Sequence, residues 1–282
     1  MQLKIIKLNT EVLGIASNIL LALEAVSHRK KNELIYFKFN NFLYSNKSNL
    51  WDKFFVQPFE EYEDVIKKKI QKNEFEVEYL QQKKNSFLQY LGKDCHRLKE
   101  KKIIDPLRAK FKKHIIFNNS IRKKIQSFKS KYLKKKIISV HLRGTDRFNA
   151  LGHFANQRNT FDFTSTIKPL ITKTIKKLNI KKIFLATDDQ EYFNQMKTEF
   201  KKKIIKSNAK FFANSQSQGI HRDNIWESET HKNKIASEAI LDSIIMANCD
   251  YSLLSQSNIS AMTILMRNDY KYDFIDKHLK YS

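Results

Sequence analysis

Apolar positions fall in short blocks along this chain, separated by charged and polar stretches of similar length. Leu3-Lys4-Ile5-Ile6 reads as a first strand. Gly14-Ile15-Ala16-Ser17-Asn18 is a small-residue turn into an apolar helix that runs to about His28, and Leu34 to Phe39 reads as a second strand. Strand, turn, helix, strand is the opening of an α/β unit. From Trp51 to Arg97 the chain becomes charged and aromatic and reads mainly as helices. Pro106 is expected near the first turn of another helix, where its missing N–H costs nothing. Ile121, Ile125, Phe128 and Tyr132 then recur at helical spacing over about Asn119 to Lys131.

The second half is more regular. Ile137 to Leu142 is a continuous strand, and a helix with Pro169 in its first turn covers about Ile167 to Leu178. A strand at Lys182 to Ala186, a helix from Asp189 to Phe200 and a short strand at Ile204-Ile205 follow. A polar loop, Asn214 to Thr230, leads to a helix from about Asn233 to Ala247, a strand at Tyr251 to Leu254 and a helix at Ile259 to Met266. Strands alternating with helices predict a doubly wound, mainly parallel, Rossmann-like sheet in the C-terminal half. The change of pattern near 125–135 divides the chain into 1–130, an N-terminal α/β and helical domain, and 131–282.

Composition narrows the function classes. At 282 residues there is room for two modest α/β domains, and 41% hydrophobic with 29% charged residues is a globular balance. Five Gly and three Pro exclude collagen-like and linker-rich architectures. Lys and Arg total 53 against 29 acidic residues, a net charge of +24. Such a charge suits nucleic acid or an anionic membrane surface as well as a merely solvated exterior. The lysines are spread in runs beside Ile, Asn and Phe, without any finger or RNP-type motif, so nucleic acid is not expected as a partner. Weak attraction to an anionic membrane surface is.

Cys95 and Cys249 offer no metal spacing and no disulfide framework. Val12 to Val26, the most apolar stretch, is interrupted by Asn18 and Glu24 and is too short to span a bilayer. Met1 to Thr10 lacks the apolar core of a secretory leader. A cytoplasmic protein, peripheral at most to the inner membrane, is expected.

Three polar clusters fall at predicted strand ends, where an open parallel sheet binds its ligands. They are His141-Leu142-Arg143-Gly144-Thr145-Asp146-Arg147, Ala186-Thr187-Asp188-Asp189, and Ser255-Gln256-Ser257-Asn258. Arg143 offers a planar, permanently charged fork suited to a diphosphate. Ser257, Asn258 and the free amides of a helix start suit an anion. Asp242, on the preceding helix, can accept hydrogen bonds from a base or ribose. Each element has an ordinary structural reading too: Asp189 and Ser257 as helix caps, Arg143 as a surface ion-pair member.

Ser-Val-His-Leu-Arg-Gly-Thr-Asp-Arg at 139–147 resembles the His-x-Arg-x-x-Asp peptide of the fucosyltransferases that form α-1,6 linkages, the nodulation enzymes among them, with related peptides in the protein O-fucosyltransferases. Phe184 to Asp189 is similar to their second motif, and Ile240-Leu241-Asp242, Asn248 to Tyr251 and Ser257 to Ser260 to their third. Gly14 to Asn18 resembles their glycine turn.

The resemblance implies a two-domain, GT-B-like fold with a donor domain at 131–282 and the acceptor side at 1–130. It also implies an inverting, metal-independent transfer of fucose from GDP-fucose to a glycan or glycolipid, as in cell-surface polysaccharide biosynthesis. Arg143 would bind the β-phosphate, supported by Asp146. His141 would lie beside the diphosphate or ribose, and Asp242 would read guanine. Ser257 and Asn258 would hold the phosphates, Asp188 and Asp189 would shape the pocket, and Gly14 and Asn18 would flank the donor. His153 is a candidate base, and no cofactor is expected. Gly144 stands where the α-1,6 enzymes carry a second arginine, and the Gly14 turn has one glycine of two. Another GDP-sugar as donor, or a basic nucleic-acid- or anionic-surface-binding protein, are the alternative readings.

Overall fold

The structure, a computed structural model, describes residues 1–8, 14–39, 48–80, 98–143, 163–206 and 229–278. The described residues form two parallel sheets.

The first sheet has the order β2-β1-β3, from β1 (Gln2–Leu8), β2 (Glu33–Phe37) and β3 (Glu76–Leu80). Lys4 in the central strand ties both neighbours: its Nζ lies 3.0 Å from Glu33 and 3.4 Å from Glu78. Helix α1 (Ile15–Ser27) connects β1 to β2, and almost its whole circumference is buried. A helix apolar on all sides belongs inside, between layers. It packs against helices of the second sheet, so the principal core runs continuously from Leu3 and Leu20 to Ile264 and Leu265.

In the chain α2 (Leu50–Phe54) and α3 (Glu63–Gln71) separate β2 from β3, and α4 (Lys101–His114) and α5 (Asn119–Tyr132) separate β3 from the second sheet. Asn118 caps α5 by accepting from the Ile121 amide.

The second sheet has the order β6-β5-β4-β7-β8, every pair parallel. Its strands are β4 (Ile137–Leu142), β5 (Lys182–Thr187), β6 (Ile204–Lys206), β7 (Tyr251–Leu254) and β8 (Tyr272–Phe274). The first strand in sequence lies at the centre, and the order reverses between β4 and β7. Side chains alternate between two covered faces. Ile138, Val140 and Leu142 point to α6 (Lys168–Leu178) and α7 (Gln190–Phe200). Ile137, Phe184 and Ala186 join the principal core with α8 (Glu229–Asn248) and α9 (Asn258–Met266). By the same alternation Ser139 and His141 belong to this second face. Helices on both faces make the sheet doubly wound, as its sequence pattern predicts.

Three local expectations fail. The Trp51 to Arg97 stretch contains β3, whose Glu-Val-Glu-Tyr-Leu alternation marks an edge strand; both its faces are exposed, so no apolar run announces it. Pro106 lies inside α4, which begins at Lys101. The amide it withholds would have served the carbonyl of Lys102, an exposed residue that water can reach. And β8, three residues set among charges, is a strand the sequence pattern does not show. No helix among the described residues is long and apolar enough to cross a membrane.

Candidate active site

The reversal between β4 and β7 leaves a crevice beyond their carboxyl ends, the position at which doubly wound sheets take ligands. A chain of buried hydroxyls lines it. Ser255, just past β7, donates through Oγ to the His141 carbonyl at 2.8 Å, and its amide donates to the same carbonyl at 3.0 Å. The Arg143 amide donates to Ser255 Oγ at 3.3 Å. Ser257 caps α9: its Oγ accepts from the Ser260 amide at 3.1 Å. Ser260 Oγ donates to the Ser255 carbonyl at 2.6 Å and lies 2.9 Å from His141 Nδ1.

These bonds determine the histidine tautomer. A hydroxyl carries one proton, and a carbonyl can only accept. With the Ser260 proton given to Ser255, Ser260 Oγ must accept from His141, so Nδ1 carries the hydrogen. In the neutral form of the ring Nε2 is then the acceptor. Ser257 Oγ, 3.2 Å from Ser260 Oγ, is a second donor to it.

Arg143 leaves the sheet beside Asp188. The last ladder pair of β4 and β5 is Leu142 with Thr187, and each residue next in line is half-buried. Asp189 is a helix cap: its Oδ1 accepts from the amides of Glu191 at 2.7 Å and Tyr192 at 3.0 Å.

The glycine turn of the first half reaches the same crevice. Asn258 Nδ2, at the start of α9, donates to Ser17 Oγ at 2.6 Å in the first turn of α1. No described side chain caps α1 at Gly14, whose φ of −59° is open to any residue. What glycine contributes there is the absent Cβ, which permits close approach. Asn18 is fully buried in the same turn. Two helix N-termini thus face one space, and both favour negative charge there.

His141, Arg143, Ser257, Asn258, Gly14 and Asn18 are in this way gathered around one crevice, with Asp188 alongside. Asp242 is buried on α8 and lines a cleft whose lining includes none of these other residues. Asp146 and His153 lie outside the described residues. Sequence reasoning gave no role to Ser17, Ser255 or Ser260; the spacing of Ser257 and Ser260, cap and third helical position, is the one local signal for them.

Beneath the crevice the buried Arg267 guanidinium closes the last turn of α8, donating to the carbonyls of Met246 and Cys249 at 3.1 Å each and to Ser252 Oγ at 2.8 Å. Burial pushes the Cys249 thiol up to about 12, so it stays protonated and inert. Among the described residues no cluster of His, Cys, Asp or Glu could hold a metal ion.

Two parallel sheets joined through helices that share one core, the second sheet doubly wound, define a GT-B-like α/β fold. Solved structures that share it over nearly the whole chain include fucosyltransferases. NodZ α-1,6-fucosyltransferase co-crystallised with GDP superposes with a TM-score of 0.56 at 14% identity, covering 94% of this chain and 92% of that one. NodZ from Bradyrhizobium gives 0.52 at 13%, covering 93% and 91%. POFUT1 in complex with GDP gives 0.52 at 10%, covering 97% and 98%. Likeness at such identities defines the fold. No family model matches the sequence, and no characterised protein matches it by sequence.

Proposed function

We propose that this chain is an inverting glycosyltransferase that moves fucose from GDP-fucose to a glycan acceptor without a metal ion. The observation that carries the reading is the crevice at the β4–β7 reversal. There the His141–Ser260–Ser255 network, Arg143 and the starts of α1 and α9 converge. The shared fold supports it, since NodZ has been solved with GDP and after soaking with GDP-fucose.

The chemistry follows from the charges. Glycosyl transfer passes through an oxocarbenium-like state in which negative charge grows on the departing diphosphate. Arg143 and two helix N-termini stabilise that charge where it develops, the part a divalent cation plays in other transferases. His141 Nε2 accepts from a ribose hydroxyl, and the Asp242 carboxylate accepts from the N1–H and amino group of guanine. Ser257 and Asn258 hold the phosphates at the α9 start. A precursor of cell-surface polysaccharide or glycolipid is the natural acceptor, and the +24 charge draws the chain to an anionic membrane.

Thermal unfolding with GDP, UDP, ADP and GDP-fucose, each with and without EDTA, tests this. At about 100 times its dissociation constant a ligand stabilises by roughly 2.7 kcal/mol, a shift of several degrees. GDP and GDP-fucose should give that shift and EDTA should not remove it. Equal shifts from UDP or ADP would defeat the donor assignment, and GDP-mannose outcompeting GDP-fucose would change the sugar.

A further inference from the structure

A cleft of about 1360 Å³ opens on the His141 face of the second sheet, displaced toward the β5–β6 edge. That is more than the roughly 300–1,000 Å³ that holds a single small ligand. Its walls are α5 and α8, and Phe184 lies in its floor. From α5, Ser120, Lys123, Lys124, Ser127 and Lys131 line it, and their spacing of i, i+3, i+4, i+7 and i+11 is one stripe of a helix. A helix ordinarily turns an apolar stripe to its neighbour. Here that apolar stripe, Ile121, Phe128 and Tyr132, also lines the cleft, and the exposed stripe of hydroxyls and ammonium groups runs beside it.

The two walls meet through polar contacts. Lys124 Nζ donates to Ser237 Oγ at 3.3 Å, and Lys53 Nζ to Asn233 Oδ1 at 2.8 Å. Among the described residues the lining holds six lysines and two carboxylates, Glu238 and Asp242. Fixed positive charge concentrated in a concave volume raises the local concentration of anions.

We infer that this cleft receives the acceptor, and that the acceptor is an anionic glycan bearing phosphate or carboxylate groups. The inference rests on the glycosyltransferase reading above. The donor diphosphate is assigned to the crevice between β4 and β7, whereas the cleft lies over β5 and β6. Neighbouring strands are about 4.8 Å apart, so the lysine stripe stands to one side of the diphosphate. Asp242, assigned above to guanine, is in the lining of the cleft, and that assignment is what links the two sites. Serine hydroxyls and the Asn233 amide suit sugar hydroxyls, and the Tyr132 ring suits the apolar face of a pyranose.

The test is equilibrium binding to the full chain, with and without saturating GDP. The probes are mannopentaose, pentamannosyl phosphate and pentagalacturonate, which separate neutral, phosphate and carboxylate ligands. One or both anionic sugars should bind about tenfold more tightly than mannopentaose, in the presence of GDP, and more weakly as salt rises. K123E/K131E alters exposed side chains of α5 that line the cleft. It should cost the anionic sugar about tenfold in affinity while GDP affinity and the unfolding midpoint stay unchanged. The inference is overturned if mannopentaose binds equally well, if the double variant keeps full affinity, if GDP displaces the anionic sugar, or if a short single-stranded RNA binds more tightly than either sugar. A chain that fails to bind GDP defeats the donor reading instead, and the sugar arms then still report whether the cleft is selective for anionic glycans.

Discussion

Asn258 Nδ2 donates to Ser17 Oγ across 2.6 Å, joining the starts of two helices 241 residues apart in sequence. One helix leads from the first sheet and the other from the second, so this bond sets how the two positive helix ends face each other. Ser17→Ala should cost about 1 kcal/mol of stability, the net worth of one such bond, read from urea unfolding. Asn258→Ala should cost a similar amount and also weaken GDP binding by about five- to tenfold, because its amide is also assigned to the phosphates. In the double variant the stability losses should fall short of their sum by about 0.5 kcal/mol or more. Strictly additive losses would mean the two side chains do not cooperate.

Ser260 acts on His141 through the tautomer it imposes. Ser260→Ala removes the acceptor of Nδ1–H and the donor to the Ser255 carbonyl, leaving buried polar groups unserved. The expected cost is about 1–3 kcal/mol of stability. A purely structural serine would do no more than this. The positioning role predicts in addition that the ring's ¹⁵N shifts, which in the native chain should be those of a protonated Nδ1, become those of a tautomer mixture. Native-like shifts in Ser260→Ala would remove the serine from that role.

What could be read from the sequence follows burial. Ile137–Leu142 and Tyr251–Leu254 were legible to the residue because strands covered on both faces are mostly apolar, here interrupted only by Ser139, His141 and Ser252. β3 and β8 were not, since short edge strands keep charged side chains and carry little apolar signal. At the site, His141, Arg143 and Ser257 stand at strand ends and could be picked out with their neighbours. Asp189 shows how closely a cap and a ligand-binding carboxylate resemble each other in sequence: in the structure its Oδ1 serves two backbone amides. The roles of Ser260 and Ser17 arise from partners 119 and 241 positions away, which no local pattern encodes. The lysine stripe of α5 was hidden by abundance, because in a chain with 53 basic residues any one run looks like surface.

Acid should loosen the first sheet before the second. The Glu33 carboxylate accepts from the Lys30 amide at 2.8 Å and pairs with Lys4 at 3.0 Å. These contacts, the amide foremost, hold its pKa below the ordinary carboxylate value. A carboxylate with a depressed folded pKa contributes stability at pH above its unfolded value, near 4.5, and loses it as pH falls through the lower folded value. Glu33→Gln should therefore lower stability at neutral pH and flatten the acid limb of the stability curve. Hydrogen exchange followed on Lys4 and Ile35 locates the effect. An unchanged acid limb in Glu33→Gln would place the acid-sensitive group elsewhere.

Arg143 bears the heaviest chemical assignment and allows the sharpest test. Its backbone is tied to Ser255 through its own amide, a contact that side-chain truncation leaves intact. Arg143→Ala should therefore fold with an unfolding midpoint close to that of the native chain. Its turnover should fall by on the order of 10²–10³, the usual cost of losing one preorganised group at a developing oxyanion. GDP release from GDP-fucose, with and without acceptor, measures it. Arg143→Lys should recover only part of the rate, because an ammonium keeps the charge but lacks the planar fork that meets two phosphate oxygens at once. Full recovery by lysine would reduce the role to simple charge. Near-native turnover in a well-folded Arg143→Ala would place the chemistry outside the β4–β7 crevice.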